Sequence, residues 1–439
     1  MNRLYPYLLT ACLLLAACND DGVETPGGNT GTPDDGSDTS GLTGYADPAG
    51  VMLLSAGTYT QENAFLTFVR PDGEVENDVF AAVNGTDLGN DGVGLCLSDG
   101  KQYILCNDWR QAEGKANNGL LTVADARTLV KERSFPREDM VFRHPVNDGL
   151  EEVDENLSGI AVLDERNVFL FAQGVLRFDC TTGKLTLVEG AYEIGNAGSA
   201  NTVESVVSSR GATVMNGRLY AAAGGFWTTT ALLEFVKGKD EVNRRLELGK
   251  GDLVSGLCRM DDNTLLVATY TRGRDVGYLY VVSLDSWTIR EQKTISANIS
   301  PAAGQNSGIT YLDGYLYFTG AEETAFTTAA YTTLSRYSME SGRVEKDLVD
   351  FKTDAPNANV LDCNIVADPQ SGYVYVPTSD ALWEGQVPES VVLVYDCNGD
   401  TPRLVKKISG LTHGVSGIYP MSQFVQAAED GRNLRQGQL

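Results

Sequence analysis

Cys18 is the residue whose chemistry the sequence identifies most directly. Arg3 supplies a positive N-terminal charge, residues 7–17 are apolar and uncharged, and Cys18 follows the small residues Ala16 and Ala17. A helix needs about 20 apolar residues to span a bilayer, so this run indicates a cleaved signal peptide over residues 1–17. The pattern resembles a lipobox, at which Cys18 takes a diacylglyceryl group. An ordinary secretory signal followed by a chance cysteine is the alternative.

The segment after Cys18 predicts a flexible membrane anchor. From Asn19 to Ser40 the chain has six acidic residues, no basic residue, and otherwise mostly Gly, Thr, Pro and Asn. This composition cannot bury apolar surface, so residues 18–43 are predicted to form a disordered tether, and the polar tail 425–439 is predicted to be disordered too. The acidic run at Asn19 resembles the signal that exports lipoproteins of some Gram-negative anaerobes to the outer face of the outer membrane. We therefore expect an outer-membrane protein that faces the cell exterior, with the lipid as its only membrane attachment.

Side chains that perform catalysis or bind metals are scarce. The chain has only two histidines, His144 and His413, which excludes a histidine-rich metal site or a zinc hydrolase on ligand count. A Gly-x-Ser-x-Gly elbow, a phosphate-binding glycine loop and a His-Glu-x-x-His motif are absent from the sequence. The acids of residues 139–156 do not follow the register of a calcium loop. The sequence therefore predicts a protein that is not an enzyme and has no metal site and no cofactor.

The net charge narrows the classes of possible partners further. The formal charge is −25; removing the six tether acids and Arg3 leaves 53 acidic and 33 basic residues, a charge of −20. This acidity argues against nucleic acid and anionic lipid headgroups as partners.

Six cysteines remain after Cys12 and Cys18, none in a C-x-x-C pair, and most lie in apolar runs where a buried free thiol is expected. The sequence does not assign disulfides among them.

The elements that must position any site are β-strands arranged in a repeat. Short β-rich runs alternate with Gly, Asp and Asn turns over residues 44–424, and the unit of strand, tight turn, strand, loop and strand recurs. The second strands of seven units are centred near Leu53, Ile104, Phe169, Leu219, Leu266, Leu316 and Val374. The first unit lacks its opening strand, and residues 416–419 supply one after the seventh unit. The prediction is an all-β, seven-bladed β-propeller in one domain, closed by a C-terminal strand that completes the N-terminal blade. An eight-bladed ring and two β-sandwiches are the alternatives.

The longer loops of this ring carry the residues expected of a recognition surface. Second-to-third-strand loops and blade connections should open on one face, and three of the four tryptophans fall in these loops. Clusters of Trp, Tyr and Arg are typical of binding surfaces, although each ring could instead fold back over its own blade. Trp287 belongs to the opposite face and is predicted to pack. The candidate ligand-binding residues are Tyr59, Trp109, Arg110, Phe226, Trp227, Tyr270, Arg272, Arg274, Trp383 and His413. The charged connection 139–156 is predicted to be a solvated loop or a flap beside the ligand.

The chain resembles the YncE-like propeller lipoproteins. The resemblance rests on residues 50–57, 64–68, 77–80 and 84–90, and on the strand and turn of residues 278–288. Members of this family include surface lipoproteins of the BtuG type, which capture cobalamin and pass it to a TonB-dependent outer-membrane transporter. The resemblance implies nutrient capture, with cobalamin or another corrinoid as the expected ligand and a TonB-dependent transporter as the expected partner. A siderophore- or haem-binding lipoprotein, a protein-binding or adhesive module, and a propeller hydrolase or lyase are the alternatives.

Overall fold

The fold was analysed in a computed structural model of the chain. The structure describes residues 43–57, 62–108, 117–154, 156–195, 201–225, 228–301, 307–323, 328–361, 363–380, 389–412 and 414–424.

Seven antiparallel sheets form the blades of the predicted propeller. From the innermost strand outward, blade 1 is Val415–Pro420, Val51–Ser55, Phe65–Val69 and Val75–Glu76. Blade 2 is Gly92–Ser98, Lys101–Cys106, Leu121–Asp125 and Lys131–Phe135. Blade 3 is Gly159–Asp164, Asn167–Phe171, Val175–Asp179 and Lys184–Leu187. Blade 4 is Val207–Met215, Arg218–Gly225, Thr228–Phe235 and Arg244–Glu247.

The remaining blades follow the same order. Blade 5 is Leu253–Asp261, Thr264–Tyr270, Gly277–Ser283 and Thr288–Ile295. Blade 6 is Ile309–Leu312, Tyr315–Phe318, Thr333–Ser338 and Val344–Asp350. Blade 7 has an inner strand in two pieces, Val360–Leu361 and Val366–Asp368, then Tyr373–Ser379, Glu389–Asp396 and Arg403–Thr412. The innermost strands of neighbouring blades contact one another in ring order, and the strand of blade 7 contacts that of blade 1.

The ring is closed as the sequence predicts. Val51–Ser55 pairs with Val415–Pro420, so the C-terminal strand becomes the innermost strand of the N-terminal blade. All seven predicted second-strand centres lie in second strands. In the part of the chain that the structure describes, the short α-helices Val79–Asn84 and Phe351–Asp354 and the 3-10 helices Gly44–Ala46 and Arg137–Asp139 lie outside the blades. Among the described residues, no helix is long and apolar enough to cross a bilayer.

The hydrophobic core consists of seven clusters, one between each pair of neighbouring blades. Alternate residues of one strand face opposite neighbours: Met52 and Leu54 pack toward blade 2, whereas Val51 and Leu53 pack toward blade 7. Because both faces of a blade are buried, its central strands are apolar at nearly every position. This is the reason for the continuous apolar runs in the sequence.

The two ends of the ring differ in their loops. In each blade the end of the second strand pairs with the start of the innermost strand, as Cys106 pairs with Gly92 and Phe171 with Gly159. We name this end the loop face; it carries the second-to-third-strand loops and the blade connections. We name the opposite end the turn face, which carries the short turns.

Three additional two-stranded hairpins arise from these loops and connections. They are Val141–Arg143 with Leu150–Glu152, Tyr192–Gly195 with Thr202–Ser205, and Ala321–Glu323 with Thr328–Ala330. The connection 139–156, predicted to be a solvated loop or a flap, contains the first of these hairpins, because Val141–Arg143 pairs with Leu150–Glu152.

Candidate functional site

Most of the predicted recognition residues lie outside the part of the chain that the structure describes. Seven lie outside the described residues: Tyr59, Trp109, Arg110, Phe226, Trp227, Trp383 and His413. Strands Arg218–Gly225 and Thr228–Phe235 leave only residues 226–227 between them. From the sequence we expect a loop over residues 224–230 between these strands, but residues 224–225 and 228–230 belong to the strands themselves.

The three described candidates differ in exposure. Tyr270 is the last residue of its strand and only 2% exposed, packed in the cluster between blades 5 and 6. The prediction that Tyr270 is a loop residue is therefore wrong. Its apolar ring completes a core position at the point where the strand ends. Arg272 and Arg274 lie in the exposed turn that follows, on the loop face.

A network of Asn and Asp side chains supports the loops of blades 1 and 2. The Asn107 side chain donates to the Asp91 carboxylate at 2.6 Å, and Asn117 donates to Asp108 at 2.8 Å. The Asn90 side chain donates to the backbone oxygen of Glu62 at 2.7 Å. These bonds fix the described ends of the loops that hold Tyr59 and Trp109. The adjacent Asn-Asp pairs at 90–91 and 107–108 are the sequence signal that our prediction missed.

Burial shifts the pKa values of the two aspartate carboxyl groups in this network. Burial raises the pKa of the Asp91 carboxyl, and a hydrogen bond from Asn107 offsets part of the rise. Burial likewise raises the pKa of Asp108, which accepts from the backbone of Asn90 and the side chain of Asn117. Since a desolvated carboxylate is costly, the asparagine donors are what stabilise the charged forms beneath the loops.

His144 fastens one of the hairpins at the loop face. Its Nδ1 accepts from the backbone N–H of Val146 at 3.1 Å, so Nε2 carries the proton and donates to the backbone oxygen of Asn201 at 2.8 Å. His144 is 5% exposed. His144 therefore ties the hairpin of residues 141–152 to the neighbouring hairpin of residues 192–205.

The centre of the ring encloses a cavity of about 370 Å³. Its wall comes from the innermost strands, with Val93, Ile160, Ala212 and Leu257 among the apolar residues. Ser158, Ser307 and Asn364 line the end nearer the loop face, and Gln423 and Phe424 line the end nearer the turn face. We name this space the channel cavity.

None of the described residues that line the channel cavity is an acid, a lysine, an arginine or a histidine. Burial raises the pKa of the Cys96 thiol to about 11, and it also raises the pKa of the Tyr419 phenol. Both groups are therefore neutral at physiological pH. The Tyr419 hydroxyl accepts the Leu95 backbone N–H at 3.0 Å and keeps its own proton to donate. The described part of the wall is uncharged and carries scattered hydrogen-bonding groups.

The described residues hold no group of three His, Cys, Asp or Glu side chains placed to bind a metal ion. The six described cysteines are free thiols, four of them buried and two half-buried. Trp287 packs at the turn face, as predicted, with the Arg244 guanidinium 4.3 Å above its ring.

A family description matches most of the chain. The model of the family described as "Domain of unknown function (DUF5074)" matches residues 49–413. No protein of curated function matches the chain significantly.

Solved structures resemble the fold at low identity. A quinonprotein alcohol dehydrogenase-like protein from Bacteroides thetaiotaomicron is 15% identical, with 85% of this chain and 78% of that chain covered, at a TM-score of 0.52. Hydrazine synthase of Kuenenia stuttgartiensis is 15% identical over 72% of this chain and 80% of that chain, with a TM-score of 0.45. An oligogalacturonate lyase in complex with manganese is 10% identical over 84% of this chain and 88% of that chain, with a TM-score of 0.40. The first likeness supports the fold alone, and the other two carry no argument about this chain.

Proposed function

This chain belongs to the family described as "Domain of unknown function (DUF5074)", and from that premise we propose that it is a surface lipoprotein that captures a small nutrient. The lipid on Cys18 holds it on the outer membrane, facing the cell exterior. Cobalamin or another corrinoid is the first candidate ligand, and a TonB-dependent outer-membrane transporter receives it. The protein acts by binding and release, without catalysis.

The observation that supports this proposal is the position of the strand ends. The second strands of the blades end, and the third strands begin, at the loop face. Three of the four tryptophans of the chain occur between a second and a third strand in the sequence. Aromatic and Arg side chains around a concave centre on a rigid scaffold are typical of small-molecule sites.

The path of the chain supports capture at this face. Tyr45 donates from its backbone N–H to Arg127 at 3.0 Å, and residue 127 lies in a turn between two strands on the turn face. The first described residues, from Thr43 onward, therefore enter the ring at the turn face. The tether predicted for residues 18–43 would have a root-mean-square reach of about 25–30 Å. We expect this reach to let the ring meet a transporter in the same membrane.

The ligand chemistry favours corrinoids over haem and anionic siderophores. Of the two histidines, the described one, His144, has both ring nitrogens engaged in backbone hydrogen bonds and does not offer an axial ligand to haem iron. His413 lies outside the described residues. The network beneath the loops of blades 1 and 2 is acidic, which disfavours a strongly anionic siderophore.

A protein-binding module is the second candidate, because one hairpin at the loop face exposes apolar residues. Val146 is 51% exposed and Leu150 is 72% exposed. Exposed apolar side chains that lie together can mark a surface that binds another protein. Recovery of a transporter from solubilised outer membranes supports nutrient capture, whereas recovery of other macromolecules without cyanocobalamin binding supports adhesion.

The deciding experiment is a titration of the chain without its signal peptide, carrying Cys18→Ser, with cyanocobalamin. Saturable one-to-one binding, followed by tryptophan fluorescence and by calorimetry, is the expected result. The absence of binding at high micromolar concentration would contradict the corrinoid proposal.

The loop tryptophans provide a sharper prediction. Replacing Trp109, Trp227 and Trp383 with alanine should weaken cyanocobalamin binding by at least about 100-fold, because buried aromatic anchors contribute about 2 kcal/mol or more each. Circular dichroism and the melting temperature should stay unchanged, since these residues are predicted to lie in loops between the strands. Trp287→Ala is the matched control, and it should leave affinity unchanged because Trp287 lies at the turn face. Equal affinity of the triple variant and the original chain would reject this site.

A further inference from the structure

We infer that His144 is a pH-sensitive hydrogen-bond switch at the loop face. The neutral imidazole keeps one hairpin closed, and protonation of the ring opens it. The switch lies in residues 144–149, which we name the hairpin tip because they join the strands Val141–Arg143 and Leu150–Glu152. No ligand takes part in this step, so it can be tested whether or not the chain captures a nutrient.

The neutral ring accepts hydrogen bonds on one side and donates on the other. Its Nδ1 accepts the backbone N–H of Val146 at 3.1 Å and that of Asn147 at 3.4 Å, both in the hairpin tip. Its Nε2–H donates at 2.8 Å to the backbone oxygen of Asn201, directly before the strand Thr202–Ser205 of the neighbouring hairpin. Since His144 is buried, water does not readily replace these partners.

Protonation affects the two sides of the ring differently. A proton on Nδ1 turns that atom from an acceptor into a donor, which then faces the N–H groups of Val146 and Asn147. Buried N–H groups that lose their acceptor destabilise the closed form. The Nε2–H group still donates to Asn201, and this bond strengthens because its donor is now charged. The contact between the two hairpins therefore persists, whereas the hairpin tip must open.

The charges around the ring favour its protonated form. Among the described residues, the acid within 4 Å of the ring is Glu151, whose carboxylate lies 3.7 Å from Nε2. The hairpin, the neighbouring hairpin and the outer strand of blade 3, which contacts Val141–Arg143, also carry Arg143, Asp148, Glu152, Lys184, Glu193 and Glu204. Arg143 and Asp148 pair with each other at 3.1 Å. Residues 196–200 of the neighbouring hairpin contain no titratable side chain. The two backbone N–H groups of the hairpin tip are therefore what opposes protonation.

Opening of the hairpin tip changes an apolar part of the loop face. Val146 lies in the tip, and Leu150, the most exposed of the large apolar side chains, follows directly after it. In the closed form Asp148 donates from its backbone N–H to His144 at 3.1 Å, and His144 donates to Gly149 at 2.8 Å. Histidine is the side chain whose charge ordinarily changes between about pH 5 and 8. The position of Val146 and Leu150 should therefore differ between neutral and mildly acidic conditions.

The first test is amide hydrogen exchange, followed by NMR at about pH 7.5 and about pH 5.5 in the chain without its signal peptide. Protection of the Val146 and Asn147 N–H groups, relative to an unstructured peptide, should fall about tenfold or more as the His144 ring resonances titrate, because each buried donor that loses its acceptor changes the equilibrium by about that factor. The N–H of Val153 is the control, because it donates to Met140 at 3.0 Å outside the tip and should keep its protection. Constant protection of Val146 and Asn147, or a ring that does not titrate in this range, would overturn the switch.

The second test separates the two sides of the ring with two uncharged variants. In His144→Asn the side-chain oxygen replaces Nδ1 as an acceptor for the tip, as in an Asx turn, but it does not titrate and the side chain is too short to reach Asn201. In His144→Gln the amide nitrogen replaces Nε2 as the donor to Asn201, but the tip has no acceptor. Protection of Val146 and Asn147 should be pH-independent in both variants, high in His144→Asn and low in His144→Gln.

The other histidine of the chain provides the matched control for this comparison. His413→Gln should keep the pH-dependent loss of protection at Val146 and Asn147. Persistence of this pH dependence in His144→Asn, or its loss in His413→Gln, would assign the pH response to another group and overturn the role of His144.

Discussion

At the scale of single residues, one buried ion cluster stabilises blade 4. The Glu234 side chain is 0% exposed, and Arg244 donates hydrogen bonds to its carboxylate from two nitrogens. Arg218 donates to the same carboxylate at 3.0 Å, and the Asn243 side chain donates to it as well. Arg244 also stacks on Trp287 of blade 5. The cluster therefore connects the outer strands of blade 4 with the neighbouring blade. A buried carboxylate is tolerated there because several donors replace its water.

Glu234→Gln should lower the free energy of unfolding by about 3 kcal/mol, because it leaves two arginines around a neutral group. Glu241→Gln is the control, because the Glu241 carboxylate is exposed and lies 3.9 Å from the Lys239 ammonium group. Loss of this exposed ion pair should lower the free energy of unfolding by less than about 0.5 kcal/mol. Urea denaturation at neutral pH measures both. Equal costs for the two variants would contradict the assigned role of the cluster.

The same residue predicts a pH dependence. Burial acts to raise the pKa of Glu234, but hydrogen bonds from Arg244 and Asn243 and the charge of Arg218 outweigh it, so the pKa lies below the ordinary value of 4.5. A lowered pKa in the folded state stabilises the protein above the unfolded-state pKa, and this contribution is lost as pH falls below it. The stability difference between the original chain and Glu234→Gln should therefore be largest near neutral pH and shrink below about pH 4.5. A difference that grows on acidification would contradict this assignment.

At the scale of elements, a Ser-Gly-Ile/Leu motif marks the inner strands of four blades. It occurs at residues 158–160, 255–257, 307–309 and 416–418. At Gly256 an added Cβ would lie against the Ser307 hydroxyl and 2.9 Å from Ile309 of blade 6. The missing side chain thus lets adjacent inner strands approach closely around the channel.

Gly256→Ala should destabilise the protein by about 1–3 kcal/mol, because the methyl group must displace atoms of blade 6. Gly249→Ala is the matched control, since an added Cβ there meets no atom within 4 Å. Thermal unfolding of the two variants compares the sites directly. A Gly256→Ala variant as stable as Gly249→Ala would show that the inner strands are not in close contact.

At the scale of the whole molecule, the ring depends on its closure. Val415 and Ile418 are buried between blades 7 and 1, and the strand that contains them covers the edge of Val51–Ser55. Beyond this strand, Ser422 donates to the buried carboxylate of Asp368 in blade 7. The C-terminus therefore joins blades 7 and 1 by apolar packing and by a hydrogen bond.

Deletion of residues 415–439 should lower the stability by about 5 kcal/mol or more and abolish the single cooperative transition. Two buried apolar side chains contribute about 1.5–3 kcal/mol each, and the deletion also leaves a strand edge unpaired. Deletion of residues 425–439 is the control, and it should leave the melting temperature unchanged if the tail is disordered as predicted. Calorimetric scans distinguish these outcomes, and a cooperative 1–414 chain with the original melting temperature would contradict the closure argument.

The sequence by itself determined the architecture of the blades. Strand periodicity, turns such as Asp313-Gly314, and the displaced strand at residues 416–419 are local signals, because each depends on the conformation of a few neighbouring residues. The prediction of seven blades and of C-terminal closure is confirmed for that reason. It also assigned Trp287 correctly to packing at the turn face.

Only the tertiary structure decided which apolar residues face the channel. Ile160 and Leu257 occur in runs as apolar as those of Tyr270, yet the first two line the cavity and Tyr270 is buried between blades 5 and 6. Sequence cannot separate these cases, because both faces of a blade are apolar and orientation depends on how the ring closes. The network of Asn90, Asn107 and their partners was missed for a related reason, since it joins segments distant in sequence whose proximity exists only after the blades have packed.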